Sequence, residues 1–178
     1  MGAIRREDFV QIMSAFPTGV AIVTTVEPDG TPRGLTTNAV TSVSAEPPIL
    51  LVCIDRASRT LPALRATQRF CVNFMRDDHE EVCRLFASKA DDKFERVAWA
   101  PGESGVPVLS GGAIAHAECT TLEELEIGDH VVVTGLVHAG AAPDPAEVPI
   151  VYFRKEFFSA TREGDTAPRR PEHRPAAS

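Results

Sequence analysis

A histidine, an amide and a dense run of hydroxyls carry most of the chemistry this sequence offers. His130 follows Gly128-Asp129 at the head of the apolar stretch His130 to His138, a place from which an imidazole can reach the mouth of a cleft. Two readings stand for it: a ring at a reaction site, oriented by a hydrogen bond to Asp129, or a surface histidine where a strand begins after a turn. From Thr36 to Ser44 the chain reads TTNAVTSVS, with one amide, Asn38, and no charge. If this run is extended, Thr36, Asn38, Val40, Ser42 and Ser44 share one face. So many neutral hydrogen-bonding groups are costly to bury without partners. The run therefore reads either as a solvent-facing strand or as a wall offering donors and acceptors to a flat polar heterocycle. Further on, Asp55-Arg56-Ala57-Ser58-Arg59-Thr60 puts hydroxyls and two arginines just after an apolar run, Ile49 to Ile54. Such a segment can take a phosphate, while Thr60 can equally cap a helix.

Other chemistries find little support. The chain has neither G-x-G-x-x-G nor G-x-x-x-x-G-K-[ST], so a nicotinamide nucleotide would have to be held without a Rossmann fold. His116-Ala117-Glu118-Cys119 contains H-x-E, but the P-C-x-x-C that supplies the remaining zinc ligands of a deaminase is missing. Cys53, Cys71, Cys83 and Cys119 form no C-x-x-C pair, and their mostly apolar surroundings suggest reduced thiols in a cytoplasmic protein.

The elements that must position these groups are mainly strands. Phe9, Ile12, Met13 and Phe16 follow the spacing of one buried helical face, so 5–16 is expected as a helix, ended by Pro17. Residues 19–26 are rich in Val, Ile and Thr and precede the turn signal Glu27-Pro28-Asp29-Gly30, so 31–43 is expected to return antiparallel. Pro47-Pro48 marks a turn or edge before the 49–54 strand. A short helix is expected from Thr60 to about Arg65, a strand over 69–75, and a helix from Asp77 or Asp78 with Val82, Leu85 and Phe86 as its apolar side. Residues 88–94 read as a charged turn and 101–112 as a loop. Two long strands, 113–124 and 130–138, flank Glu126 to Asp129. Another follows at 150–153, with Phe157-Phe158 as a short last one. Residues 1–161 thus read as one domain, and 162–178, without large apolar side chains, as a disordered tail.

With 178 residues and 43% hydrophobic, the chain is long enough for a substantial core. A net charge of -7 argues against nucleic acid or an anionic membrane as partner. No apolar run approaches a membrane span, and the N-terminal stretch lacks the apolar region of a secretory signal.

Ordered short motifs add a resemblance. Phe16-Pro17-Thr18-Gly19-Val20, Gly34-Leu35-Thr36-Thr37-Asn38-Ala39, Ser42-Val43-Ser44 with Pro47-Pro48, Phe70-Cys71-Val72-Asn73-Phe74, Phe86-Ala87, Asp92-Lys93-Phe94 and Gly128-Asp129-His130 run in order over residues 5 to 160. The sequence resembles the short-chain flavin reductases, the flavin:NAD(P)H oxidoreductases of two-component monooxygenases. The resemblance implies an antiparallel split β-barrel of the FMN-binding type with flanking helices, a homodimer, FMN or FAD with NADH or NADPH as hydride donor, and a separate flavin-dependent monooxygenase that receives reduced flavin. It implies flavin contacts at Thr36, Thr37, Asn38, Ala39, Ser42, Val43, Ser44, Cys53, Asp55, Ser58, Thr60, Ser88 and Lys89, with His130 beside the isoalloxazine. Arg33, Arg56, Arg59 and Arg154 are all eligible to favour NADPH, and Tyr152, Phe153, Phe157 and Phe158 to face the ligand. The same barrel could instead serve as a non-catalytic flavin- or haem-binding module, with His116, His130 or His138 as axial ligand, or as a flavoenzyme that keeps its FMN and acts on an organic substrate.

Overall fold

The computed structural model describes residues 2–142, 144 and 146–161; the tail proposed for 162–178 lies outside them. Three helices, α1 (Arg6–Ser14), α2 (Thr60–Thr67) and α3 (Glu80–Ala87), accompany twelve strands. In chain order these are β1 (Thr18–Gly19), β2 (Ala21–Val26), β3 (Pro32–Thr37), β4 (Val40–Ala45), β5 (Pro48–Asp55), β6 (Arg69–Met75), β7 (Ala100–Pro101), β8 (Pro107–Val108), β9 (Ala113–Ile127), β10 (His130–Ala141), β11 (Ile150–Phe153) and β12 (Glu156–Ser159). Seven form one antiparallel sheet in the order β3-β2-β6-β9-β10-β5-β4. Its outermost members, β3 and β4, are consecutive in sequence and joined only by Asn38-Ala39, so the sheet curls on itself as the split barrel expected from the sequence. At the join, the Cys53 N–H of β5 donates to the Ala39 carbonyl at 3.0 Å.

Two apolar clusters hold the sheet in place. Val23, Val52, Ile54, Leu64, Phe70, Val72, Val131 and Val133 are fully buried inside the curl. Their alternation along β5, β6 and β10 follows the two-residue period of a strand. Burying side chains of this size contributes about 1.5–3 kcal/mol each. Gly135 is required here: a Cβ on it would come within 2.5 Å of the Phe70 ring and 2.8 Å of the Cys119 Cβ. The second cluster, Val20, Ile22, Met75, Cys83, Phe86, Leu109 and Ile150, packs the amphipathic face of α3 and the β11–β12 hairpin against the outside of the sheet.

Three local expectations change. The segment 31–43 is not one strand, because β3 pairs with β2 and β4 with β5 and the chain must turn a corner between them. A bulge between Ser42 and Ser44 further breaks the alternation that would have put Thr36 through Ser44 on one face. Helix α1 forms, yet none of its residues is buried: Phe9, Ile12, Met13 and the following Phe16 are 54%, 61%, 48% and 63% exposed. Its apolar stripe therefore finds no partner among the described residues. Finally, Thr60 lies inside α2 and is buried; Arg59 occupies the cap position, and the Ser58 hydroxyl accepts the Thr60 N–H at 3.2 Å.

Candidate active site

The corner between β3 and β4 opens one side of a cavity of about 830 Å³. Its walls come from the length of β3, the end of β5, the 57–60 segment, the C-terminus of α3 with the loop to Phe94, and the first residue of β10. The chain joins these because Phe86 packs over Gly34. A Cβ at Gly34 would lie 2.8 Å from the Phe86 ring, so only glycine lets α3 lie this close to β3. Lys93 reinforces the same junction, donating to the Phe86 carbonyl at 2.8 Å and the Gly34 carbonyl at 3.3 Å. Burial, with the nearby Arg59 charge, pulls its pKa below the ordinary lysine value.

At one end the walls are uncharged. Thr36 donates its hydroxyl to the Cys83 carbonyl at 2.6 Å, fixing β3 against α3. The Thr37 hydroxyl accepts the Ala39 N–H at 3.0 Å and so shapes the corner. The Asn38 amide donates to the Thr18 hydroxyl at 3.1 Å, which leaves its carbonyl oxygen without a partner among the described residues. Cys53 sits beneath them, half-buried, and burial pushes its thiol up from the ordinary value. The other end is polar and cationic. Asp55 accepts the Ala57 N–H at 2.7 Å, making a tight turn that presents Ser58 and Arg59. Ser88 closes α3 through the Leu85 carbonyl and accepts the Ala90 N–H at 3.1 Å. Arg59 joins the two segments, contacting the Asp91 carboxylate at 2.5 Å and the Lys89 carbonyl.

His130 stands at the mouth opposite Asp55, its register partner on β5. A two-residue connection, Gly128-Asp129, links β9 to β10; Gly128 comes first with φ +59°, the position where a II′ hairpin needs positive φ. Arg56 secures this turn to the end of β5, its N–H donating to the Asp129 carbonyl at 3.0 Å and its guanidinium to the Gly128 carbonyl at 3.3 Å. Asp129 does more than finish the turn. Its carboxylate lies 2.7 Å from His130 Nδ1, and that hydrogen bond holds the carboxyl below its ordinary value. An ionised carboxylate only accepts, so Nδ1 carries the proton and Nε2 remains available to a second partner.

The cavity therefore gathers Thr36, Thr37, Asn38, Ala39, Cys53, Asp55, Ser58, Thr60, Ser88, Lys89 and His130. Ser42, Val43 and Ser44 do not line it. They lie on edge strand β4, beyond the corner, with Val43 52% exposed. Sequence reasoning did not assign Phe86, Asp91 or Lys93 to the site, although Phe86 and Lys93 belong to the ordered motifs. Of the eligible arginines, Arg33 and Arg59 line the cavity; Arg56 serves the β9–β10 turn, and Arg154 stacks on Phe153. His130 is the one histidine among the described residues that lines it. The H-x-E motif is structural: Glu118 is buried and holds the 102–106 turn. Tyr152 and Phe157 line a smaller neighbouring cavity of about 400 Å³ that shares Thr36, Thr37, Asn38, Ala87 and Ser88.

Comparison with known proteins agrees with this geometry. Residues 13–161 match the model of the flavin reductase like domain. The chain is 46% identical over 157 residues to a flavin reductase (NADH) of Kitasatospora aureofaciens, covering 88% of this chain and 82% of that protein. It is 39% identical over 158 residues to a flavin reductase (NADPH) of Lentzea aerocolonigenes, covering 88% and 91%. Among solved structures, an NADH:FAD oxidoreductase of Streptomyces globisporus, in complex with NAD and FAD fragments, superposes with a TM-score of 0.82 at 33% identity, covering 93% of this chain and all of that one. With a domain match over most of its length and relatives this similar, the chain belongs to the flavin reductase-like family.

Proposed function

We propose that the protein is an NAD(P)H:flavin oxidoreductase that reduces FMN or FAD and supplies the reduced flavin to a separate flavin-dependent monooxygenase. The observation that carries this reading is the polarity of the cavity. Its neutral end, Thr36 to Ala39 with Cys53, suits the hydrogen-bonding edge of a flat heterocycle; its other end, Ser58, Arg59, Ser88 and Lys89, suits a phosphate. A cavity of about 830 Å³ lies within the common range for small-molecule sites. Flavin bound there supplies the hydride-accepting chemistry. The protein contributes orientation, a partly dehydrated pocket, and at the mouth an imidazole whose tautomer is fixed by Asp129. In this reading His130 positions the hydride donor through Nε2, the nitrogen that Asp129 leaves free. Hydroxyls and amides bind without covalent attachment, which fits a flavin that leaves after reduction.

The exposed stripe of α1 supports a homodimer. Ile4, Phe9, Ile12, Met13 and Phe16 form an apolar surface that a second copy would cover. Cys53, Cys71, Cys83 and Cys119 are free thiols, as a reducing compartment such as the cytoplasm would keep them. Among the described residues no helix is long and apolar enough to cross a membrane.

The test is NADH and NADPH oxidation at 340 nm, with FMN and FAD titrated into protein purified without flavin. Turnover that saturates with free flavin is expected. Absence of turnover by folded protein in every pairing would overturn the reading in favour of a binding module. Turnover without added flavin, with the flavin absorbance band travelling with the protein, would mean a retained cofactor.

A further inference from the structure

Four cations line the cavity, and their partners differ. Arg33 is paired with Glu27 at 2.6 Å, and Lys93 is spent on backbone carbonyls. Lys89 has no side-chain partner among the described residues. Arg59 is held by Asp91, with both side chains open to solvent, 55% and 79% exposed. An exposed ion pair of this kind is weak and screened by water, so a phosphate dianion can take the guanidinium from it. Asp91 therefore stands beside the cationic end of the cavity as a second claimant for its most exposed arginine. We propose that Asp91 is a release-setting residue: its carboxylate competes with the flavin phosphate for Arg59 and so weakens flavin binding and speeds its departure. The proposal rests on the flavin-phosphate reading of the cavity given above. It gives a chain that must hand its product to another protein a built-in limit on affinity. It also separates two roles within one loop, with Lys89 attracting the phosphate and Asp91 opposing it.

The test compares FMN with riboflavin, which lacks the phosphate, by quenching of flavin fluorescence on the full chain. Wild-type protein should bind FMN more tightly than riboflavin. Asp91→Asn should tighten FMN about three- to tenfold, the scale of one added like charge several ångströms from a dianion in screened water, while leaving riboflavin unchanged. The FMN off-rate should fall in proportion. The gain should shrink at high salt and disappear in an Arg59→Gln background, and Asp91→Glu should behave as wild type. FMN binding that is unchanged or weaker in Asp91→Asn overturns the proposal, because the carboxylate would then only be holding the loop. Wild-type protein that prefers FMN but ignores the substitution sinks this proposal alone. Equal wild-type affinity for FMN and riboflavin removes the phosphate from this cavity, and the proposal falls together with that part of the functional reading.

Discussion

Replacing Glu118 by glutamine removes a charge that the fold has placed where almost no water reaches it. Glu118 is 1% exposed on β9. One carboxylate oxygen accepts the Glu103 N–H at 3.0 Å; the other accepts the Ser104 N–H at 2.8 Å and the Ser104 hydroxyl at 2.5 Å. Burial alone would raise its pKa, but the Ser104 hydroxyl and the two backbone N–H groups outweigh it and hold the carboxyl below the ordinary value. In Glu118→Gln one oxygen becomes an NH2 group. It must face either the Glu103 N–H or the Ser104 N–H, so at least one buried donor loses its acceptor and the remaining bonds lose their charge. A hydrogen bond to a charged group contributes about 1.5–3 kcal/mol and a neutral one about 1. The expected loss is therefore about 2–4 kcal/mol, a fall in Tm of roughly 5–15 °C for a domain of this size. The sign with pH follows from the lowered pKa. The contribution is present in full above the unfolded value, about 4.3, and is lost as pH falls through the lower folded value. Thermal unfolding followed by circular dichroism from neutral pH downward measures both effects. Wild type and variant should differ most near neutrality and converge in acid. Equal Tm values at pH 7, or a gap that widens in acid, would refute the reasoning.

The remaining predictions concern the site and the assembly. His130→Ala should slow single-turnover flavin reduction about tenfold or more while changing flavin affinity little, because the ring sits at the cavity mouth and not on its neutral wall; unchanged reduction in stopped flow would remove its assigned role. On the proposed homodimer, Phe9→Glu combined with Ile12→Glu should give a monomer in sedimentation velocity without loss of secondary structure, since neither side chain is buried among the described residues. A variant that sediments as wild type would place the interface elsewhere.

Much of the fold follows from local pattern. The apolar runs at 49–54 and 130–138 and the alternation of Phe70, Val72 and Phe74, with Glu27 to Gly30 and Gly128-Asp129 as turns, identify strands because run length, the two-residue period and the turn chemistry are properties of neighbouring residues. The spacing of Val82, Leu85 and Phe86 likewise marks a helix, expected from Asp77 or Asp78 and begun as an α-helix at Glu80. Such signals, with the ordered motifs, were enough to recognise the family and a mainly antiparallel architecture. They could not show that the polar run from Thr36 to Ser44 bends at Asn38-Ala39, because that break is imposed by β2 and β5, the strands its two halves pair with. Nor could they show that α1 would leave its apolar stripe uncovered, since spacing specifies a face and not what meets it. Glu118 read as part of a metal-like motif, and only the approach of the 102–106 turn shows that its partners are backbone donors.

The composition of the site was in the sequence; its assembly was not. Hydroxyls, amide, arginines and Gly-Asp-His are legible as residue types that suit a flavin and its phosphate. That His130 stands across from Asp55, or Asp91 against Arg59, depends on the register of β5 with β10 and on where α3 comes to rest. Those are contacts between residues far apart in the chain. Burial of Phe70, Val72 and Phe86 against distant strands decides them, and no local pattern encodes such a contact.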